Sequence, residues 1–155
     1  MIKILTKLQY TIGPILFLSM PKILALDIGG KRTGIAHTDP MQMIASPLCT
    51  VPTGELLAFV KAEVLAHDIV DIVIGAPRQM DGSVSESAAF IEAMAEKLEA
   101  NHPGITVHWV DERFTSKMAA QSLVTGGMKK GKRQEKGQLD QVAAAIILQS
   151  FLEQR

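Results

Sequence analysis

The stretch LALDIGGKRTGIAH, from Leu24 to His37, constrains the fold more than any other part of the sequence. It begins as a continuous apolar run, which is typical of a strand buried on both faces. The run ends at the carboxylate of Asp27, and the pair Gly29 and Gly30 follows almost at once. Because the link to the next strand-like segment is short, the pattern predicts an antiparallel hairpin whose loop lies beside an acidic side chain.

The remaining patterns predict an α/β fold. Apolar periodicity, the prolines and the candidate helix caps divide the chain into strands and helices. We expect strands at residues 23–26, 33–38, 43–51, 70–74 and 105–110, and helices at residues 53–66, 83–100, 115–125 and 138–153. Thr53 is the expected N-cap of the first helix, Pro47 should bend its strand or place it at an edge, and Trp109 should be in the core. Strands joined through helices pair in parallel, so we expect a mixed five-stranded sheet with helices on both faces.

Length and composition indicate one domain with an N-terminal extension. A chain of 155 residues has the size of a single domain. The apolar run within residues 1–20 is interrupted by Gly13-Pro14 and is too short to span a bilayer. We therefore expect a domain at residues 21–155 and an extension upstream of a start at Met20, although a membrane or export segment is the alternative. The single cysteine, Cys49, excludes an internal disulfide and fits the reducing cytoplasm.

Three acidic residues occur where a shared site could form. Asp27 and Glu112 follow strand-like runs, and ligands of open α/β sheets bind beyond the carboxyl ends of parallel strands. Asp140 is expected in the first turn of the last helix, on the same side as Ala143 and Ala144, whose small side chains would permit close packing on the sheet. Taken singly, each acid also has a structural interpretation, as a turn residue or as a partner of the helix dipole.

A cluster of carboxylates would be most stable with divalent cations to offset its charge. Oxygen ligands favour Mg²⁺ or Mn²⁺ over zinc, and two such ions can promote hydrolysis of a phosphodiester. The sequence therefore predicts a nuclease with Asp27, Glu112 and Asp140 as metal ligands and catalytic residues. Gly29 and Gly30 would let the backbone approach a phosphate, and Lys31 and Arg32 would attract it. An ordinary hairpin turn and a solvated loop are the alternatives.

Basic residues are concentrated in one glycine-containing segment. Five of them lie between residues 129 and 136 with one acid, so the segment carries +4 in a chain of zero net charge. A nucleic-acid backbone is the partner that such a segment would attract. The candidate substrate-binding residues here are Lys130, Lys132 and Arg133, with Arg113 next to Glu112. A solvated linker and an ion pair of Arg113 with an acid remain the alternatives.

Four blocks of the sequence resemble the YqgF family, whose members are described as pre-16S rRNA nucleases and as Holliday junction resolvases. The blocks are LALDIGGKRTGIAHTDP, IGAPRQMDGS, VDERFTS and LDQVAAAIIL, and the resemblance covers about residues 22–152. It implies an RNase H-like fold and a metal-dependent phosphodiesterase, with the acids of the family at Asp27, Glu112 and Asp140. It also implies maturation of the 5′ end of small-subunit rRNA, or junction resolution. The chain departs from the family at Gly30, where a threonine is usual.

Two other classes of function remain open. An actin-like ATPase or sugar kinase also begins with a strand, an aspartate and a glycine-rich hairpin, but it needs two such domains. A non-catalytic RNA- or ribosome-binding module could use the same frame. The sequence leaves open whether the substrate is RNA or branched DNA and whether the protein is a monomer or a homodimer, and it predicts no membrane partner.

Overall fold

A computed structural model describes residues 21–76, 86–111 and 136–155. The strands are β1 (Lys22–Ile28), β2 (Arg32–Thr38), β3 (Ala45–Pro52), β4 (Ile69–Ala76) and β5 (Thr106–Asp111). The helices are α1 (Leu56–Ala66), which follows a 3₁₀ turn at Thr53–Glu55, α2 (Glu86–Asn101) and α3 (Lys136–Glu153). Several sequence predictions lie outside these residues: Glu112, Arg113, the candidate lysines and arginine of the basic segment, the capping box at Ser83 and the helix at 115–125.

The strands form one mixed sheet in the order β3-β2-β1-β4-β5. β1 pairs antiparallel with β2, and β2 pairs antiparallel with β3. β1 also pairs in parallel with β4, and β4 pairs in parallel with β5. β1 is therefore the central strand, and the predicted mixed five-stranded sheet is confirmed. β3 is an edge strand with a register shift opposite Pro47, as the proline predicted.

Helices cover both faces of the sheet, as predicted, and each face has its own core. The first core joins the sheet to α1 and α2 and contains large aliphatic residues: Leu24, Leu26, Ile28, Ile35, Leu56, Val60, Ile69, Ile72, Ile74, Ile91, Met94, Ala95 and Leu98. The second core joins the sheet to α3 and contains Ile23, Ala25, Ala36, Val73, Val110, Ala144, Ala145, Ile147 and Leu148. Alternate residues of β1 face the two cores because strand side chains point to opposite faces.

Three local predictions are wrong. The Thr53 hydroxyl does not cap the 3₁₀ turn, whose N-cap is Pro52 without a side-chain cap; it donates instead to the carbonyl of Gly29. Trp109 is 45% exposed on the edge strand β5, so it is not a core residue. Helix α3 begins at Lys136, two residues before the predicted start, so Asp140 lies in its second turn.

A ring contact at the far end of α3 holds the helix on the sheet. His108 Nε2 of β5 and Asp71 Oδ1 of β4 are 2.7 Å apart, and both side chains are partly buried. The Phe151 ring of α3 packs on His108 with a centroid distance of 4.7 Å.

Among the described residues, no helix is long and apolar enough to cross a membrane.

Candidate active site

Asp27 lies on the α3 face of the central strand. It follows Ile23 and Ala25 at intervals of two residues, and both pack in the second core. Asp27 is the penultimate residue of β1 and is partly buried, whereas its neighbours Leu26 and Ile28 point into the first core. The predicted position at the carboxyl end of a buried strand is therefore confirmed, and the side chain faces the helix that carries Asp140.

Gly34 brings Asp140 next to this strand. It lies opposite Asp27 on β2 in the antiparallel register. A Cβ atom on Gly34 would overlap the backbone carbonyl of Asp140, so only glycine lets α3 approach this closely. Cross-strand neighbours have side-chain positions about 5 Å apart. The backbone of Asp140 thus packs on the residue that directly neighbours Asp27, and the two predicted acids lie at the same end of the α3 face of the sheet.

Small residues permit the close approach along the rest of the interface, and a hydrogen bond fixes the start of α3. Ala25 and Ala36 of the sheet and Ala144 of α3 are fully buried in the second core. The Thr50 hydroxyl of β3 donates to the carbonyl of Gly137 with an oxygen–oxygen distance of 2.5 Å. These contacts fix the first two turns of α3 over β2 and β3, which sets the position of Asp140.

The turn between β1 and β2 is held from the opposite face by Thr53. The Gly29 amide donates to the Arg32 carbonyl at 2.9 Å, which closes the turn. The Thr53 hydroxyl donates to the Gly29 carbonyl at 2.6 Å, and the Thr53 amide donates to the Lys31 carbonyl at 3.0 Å. Thr53 is buried, and its hydroxyl is also 3.0 Å from that of Thr33. The turn is therefore a fixed part of the site.

The predicted phosphate-binding residues lie on the solvent side of this turn. Gly29, Gly30, Lys31 and Arg32 are all exposed. Arg32 also contacts Asp140, because its Nε donates to Asp140 Oδ2 at 3.0 Å. The structure thus brings together Asp27, Asp140 and the turn, with a basic side chain directly on one of the two carboxylates.

The third predicted acid, Glu112, stays a prediction. The last described residue of β5, Asp111, pairs with Ala76 at the carboxyl ends of β5 and β4. These ends lie at the same edge of the sheet as Asp27, because β1, β4 and β5 are parallel. Neighbouring strands lie about 4.8 Å apart, so the end of β5 is about 10 Å from β1. Substrate-binding roles for Arg113, Lys130, Lys132 and Arg133 also remain predictions.

The donor set fits a hard divalent cation. Asp27 and Asp140 supply carboxylate oxygens, which Mg²⁺ and Mn²⁺ prefer. Within the part of the chain that the structure describes, no group of three or more histidines, cysteines or acids could hold a metal ion. Asp27 and Asp140 are thus the two candidate ligands among the described residues, and Glu112 is the third that the sequence predicts. Burial raises the pKa of the Cys49 thiol, which disfavours the thiolate needed for metal binding or nucleophilic attack.

Two positioning residues were not predicted from the sequence. Gly34 lies inside β2, and glycine within a strand often indicates a close backbone approach. The sequence therefore contained a signal for the close packing of another element on this residue. Thr53 gave no such signal, because a threonine before a helix is read first as an N-cap. Its contact with Gly29 links residues that are 24 apart in the sequence.

The sequence of this chain is similar to those of known proteins. Residues 21–154 match a family model described as RuvX, Holliday junction resolvase. A protein of Flavobacterium psychrophilum named "Putative pre-16S rRNA nuclease" is 45% identical over 133 residues, which cover 86% of this chain and 97% of the relative. A protein of the same name from Bacteroides fragilis is 47% identical over 134 residues, covering 86% and 97%.

A solved structure supports the fold. T. thermophilus RuvC, determined in complex with a Holliday junction substrate, superposes with a TM-score of 0.54 at 17% identity, covering 86% of this chain and 94% of RuvC. This similarity confirms the RNase H-like fold that the resemblance implied. With a family match over nearly all of the described residues and relatives above 40% identity, the chain belongs to the RuvX family, also called YqgF.

Proposed function

We propose that this protein is a divalent-metal-dependent nuclease that processes the 5′ end of precursor 16S rRNA. The observation that supports the proposal is the packing of the Asp140 backbone on Gly34, the cross-strand neighbour of Asp27, at the carboxyl edge of the sheet. Asp27 and Asp140 are 113 positions apart in the sequence, and their like-charged carboxylates repel each other. Their placement at one partly open edge therefore favours a shared cation over a role in stability. The name of the relatives, which cover most of this chain, supports rRNA as the substrate.

Asp27, Asp140 and Glu112 would hold Mg²⁺ or Mn²⁺ in this proposal. When bound, two such ions activate a water molecule for attack on the phosphodiester and stabilise the leaving oxygen. The chain's own contribution is the placement of the ligands. Gly34 fixes the height of Asp140 over the sheet, and the alternation of β1 directs Asp27 toward it.

The turn at Gly29 and Gly30 would hold the substrate backbone. Both glycines and Lys31 are exposed at the same edge as Asp27, and the turn is fixed by Thr53. A phosphate at the turn would lie beside the carboxylates without further movement of the backbone. Arg113 and the basic residues Lys130, Lys132 and Arg133 would extend this surface, and each phosphate contact would add to the salt dependence of binding.

A second candidate substrate is a four-way DNA junction. The family description names Holliday junction resolvase, and RuvC was solved with a junction substrate. The chemistry at Asp27 and Asp140 would be the same on either nucleic acid, so the two candidates differ only in how the substrate is recognised. A pre-ribosomal particle is the larger partner that the rRNA proposal implies.

The test is cleavage of labelled precursor 16S rRNA and of a labelled four-way junction, each with Mn²⁺, with Mg²⁺ and with EDTA. We expect Mn²⁺- or Mg²⁺-dependent cleavage of the rRNA near its mature 5′ end. Asp27→Asn, Glu112→Gln and Asp140→Asn should each lower the rate by more than about 100-fold, because losing a residue that only hydrogen-bonds to a metal ligand already costs about 10- to 100-fold. Glu153→Gln, at the exposed far end of α3, is the matched control.

Each alternative predicts a different result. Binding of either nucleic acid without cleavage by the wild-type protein would indicate a non-catalytic module. Cleavage of the junction alone would replace rRNA by branched DNA as the substrate. Full activity of Asp27→Asn would contradict the metal site itself, and a rise in melting temperature with ATP would favour the actin-like alternative.

A further inference from the structure

We infer that Arg32 competes with a divalent cation for the Asp140 carboxylate in the free protein. The inference rests on the proposed function, because it assumes that Asp140 is a metal ligand. It assigns Arg32 a second task besides attraction of the substrate. Arg32 would make cation binding depend on nucleic acid, since a substrate phosphate offers the guanidinium another anionic partner.

The ion pair is built from two fixed parts of the backbone. Arg32 begins β2 and closes the turn with Gly29, which Thr53 supports from the other face. Asp140 is held over β2 by its close packing on Gly34. The 3.0 Å contact between Nε and Oδ2 thus joins residues 108 apart in sequence without movement of either backbone. The fold therefore places these two side chains next to each other.

The contact leaves the guanidinium able to exchange partners. The Arg32 and Asp140 side chains are 43% and 27% exposed, so solvent and a substrate can reach the pair. The described bond uses the Nε hydrogen, and an arginine has five N–H groups arranged to bind carboxylate or phosphate. Gly29 and Gly30 are exposed and directly precede Lys31 and Arg32 in the sequence, so a phosphate bound at this turn would be close to the Arg32 side chain.

Arg32 and a cation oppose each other at Asp140. Both are positive, and both use the same carboxylate, so each weakens the binding of the other. A phosphate that draws Arg32 away removes this competition. By linkage, nucleic acid must then strengthen cation binding, and the cation must strengthen nucleic-acid binding by the same factor. The free protein would bind the ion weakly and the substrate complex would bind it tightly.

The first experiment measures Mn²⁺ affinity of the free protein by electron paramagnetic resonance titration, with no nucleic acid present. Arg32→Gln should bind Mn²⁺ about two- to fivefold more tightly than the wild type, the size expected from losing one partly exposed ion pair. Lys31→Gln removes the same charge from the adjacent exposed residue and should change the affinity by less than about twofold, since the charge is more distant and screened. Equal or weaker binding by Arg32→Gln than by Lys31→Gln would overturn the inference.

The second experiment measures the coupling. A labelled four-way junction is titrated with and without Ca²⁺, which uses the same kind of oxygen ligands, and the DNA is checked for cleavage on a gel. Ca²⁺ should strengthen junction binding by the wild type and by Lys61→Gln, which removes an exposed charge from α1, and the effect should be smaller for Arg32→Gln. An undiminished effect in Arg32→Gln would contradict the exchange.

Asp140→Asn separates this inference from the proposed function. If Asp140→Asn keeps wild-type Mn²⁺ affinity, Asp140 is not a ligand and the proposed metal site fails. If Asp140→Asn loses Mn²⁺ binding while Arg32→Gln behaves like Lys31→Gln, the metal site stands and only the competition by Arg32 is excluded.

Discussion

The two faces of the sheet are built differently, and the difference explains where the candidate site lies. The face toward α1 and α2 is filled mainly by leucine and isoleucine, whereas the face toward α3 presents Ala25, Gly34 and Ala36 to a helix with a run of alanines. Large side chains bury the most apolar surface, so the first face contributes more to stability. Small ones let a helix approach the sheet closely. The face with less to bury is the one that carries Asp27 and Asp140.

The strongest test of this comparison is Gly34→Ala. The added Cβ would overlap the Asp140 carbonyl, which belongs to the backbone and cannot rotate away. We expect the free energy of unfolding to fall by about 3 kcal/mol and cleavage to fall by more than about 100-fold, because α3 must move. Gly104→Ala, where nothing lies within 4 Å of the added atom, is the control for urea unfolding and cleavage. Wild-type cleavage by Gly34→Ala would show that the close approach is not needed.

A matched pair of leucines compares the faces directly. Leu98 of α2 and Leu148 of α3 are both buried, one in each core. Replacing either by alanine should lower the free energy of unfolding by about 3 kcal/mol. Below the melting temperature, Leu98→Ala should cleave at the wild-type rate, whereas Leu148→Ala should be at least about tenfold slower because it lets α3 and its ligand shift. Equal rates for the two variants would contradict a division of labour between the faces.

Thr53→Val tests a contact through which the α1 side of the sheet reaches the site. The substitution removes the hydroxyl that binds the Gly29 carbonyl and contacts the Thr33 hydroxyl. We expect a loss of about 1–2 kcal/mol in urea unfolding, because buried polar groups lose their partner. The KM for nucleic acid should rise more than kcat falls, since the turn binds phosphate and carries no metal ligand. Thr106→Val, at an exposed position of β5, is the control.

Asp39→Asn tests a polar loop that belongs to neither face, and its effect should be the smallest. The backbone amides of Ile44, Met43 and Met41 donate to the Asp39 carboxylate and hold its pKa below the ordinary value of 3.8. A lowered pKa in the folded state stabilises the protein above that value, and the contribution is lost as the pH falls below it. The melting temperature of Asp39→Asn should therefore fall less than that of the wild type between pH 5 and about pH 3. Glu55→Gln corrects for the change in net charge.

The sequence predicted the elements well where one pattern dominated. The apolar run of β1, the short hairpin link and the helical spacing of Ile91, Met94 and Leu98 all agree with the structure. Asp27 and Asp140 were selected from their places at element ends, and the structure brings both to one edge of the sheet. These predictions succeeded because strand alternation and helix periodicity already determine which side chains share a face.

Long-range contacts were beyond the reach of such patterns. The Thr53 hydroxyl could have capped its own helix or bound the Gly29 carbonyl, and the sequence pattern does not distinguish these two hydrogen bonds. Trp109 was placed in the core from its apolar character, but the order of strands puts β5 at an edge. The contact of Arg32 with Asp140 depends on how closely α3 packs on the sheet. That distance is possible only because Gly34 has no Cβ atom.

The position of α3 in the chain has a consequence for biosynthesis. The helix follows all five strands, so the sheet and the first two helices are translated before the segment that carries Asp140. A nascent chain can therefore bury the core between the sheet, α1 and α2 before Asp140 has been placed at the same end of the sheet as Asp27. In the proposed mechanism, the protein would become active only after α3 has left the ribosome and docked on the sheet, so a partly synthesised chain would not cleave the rRNA of the ribosome that makes it.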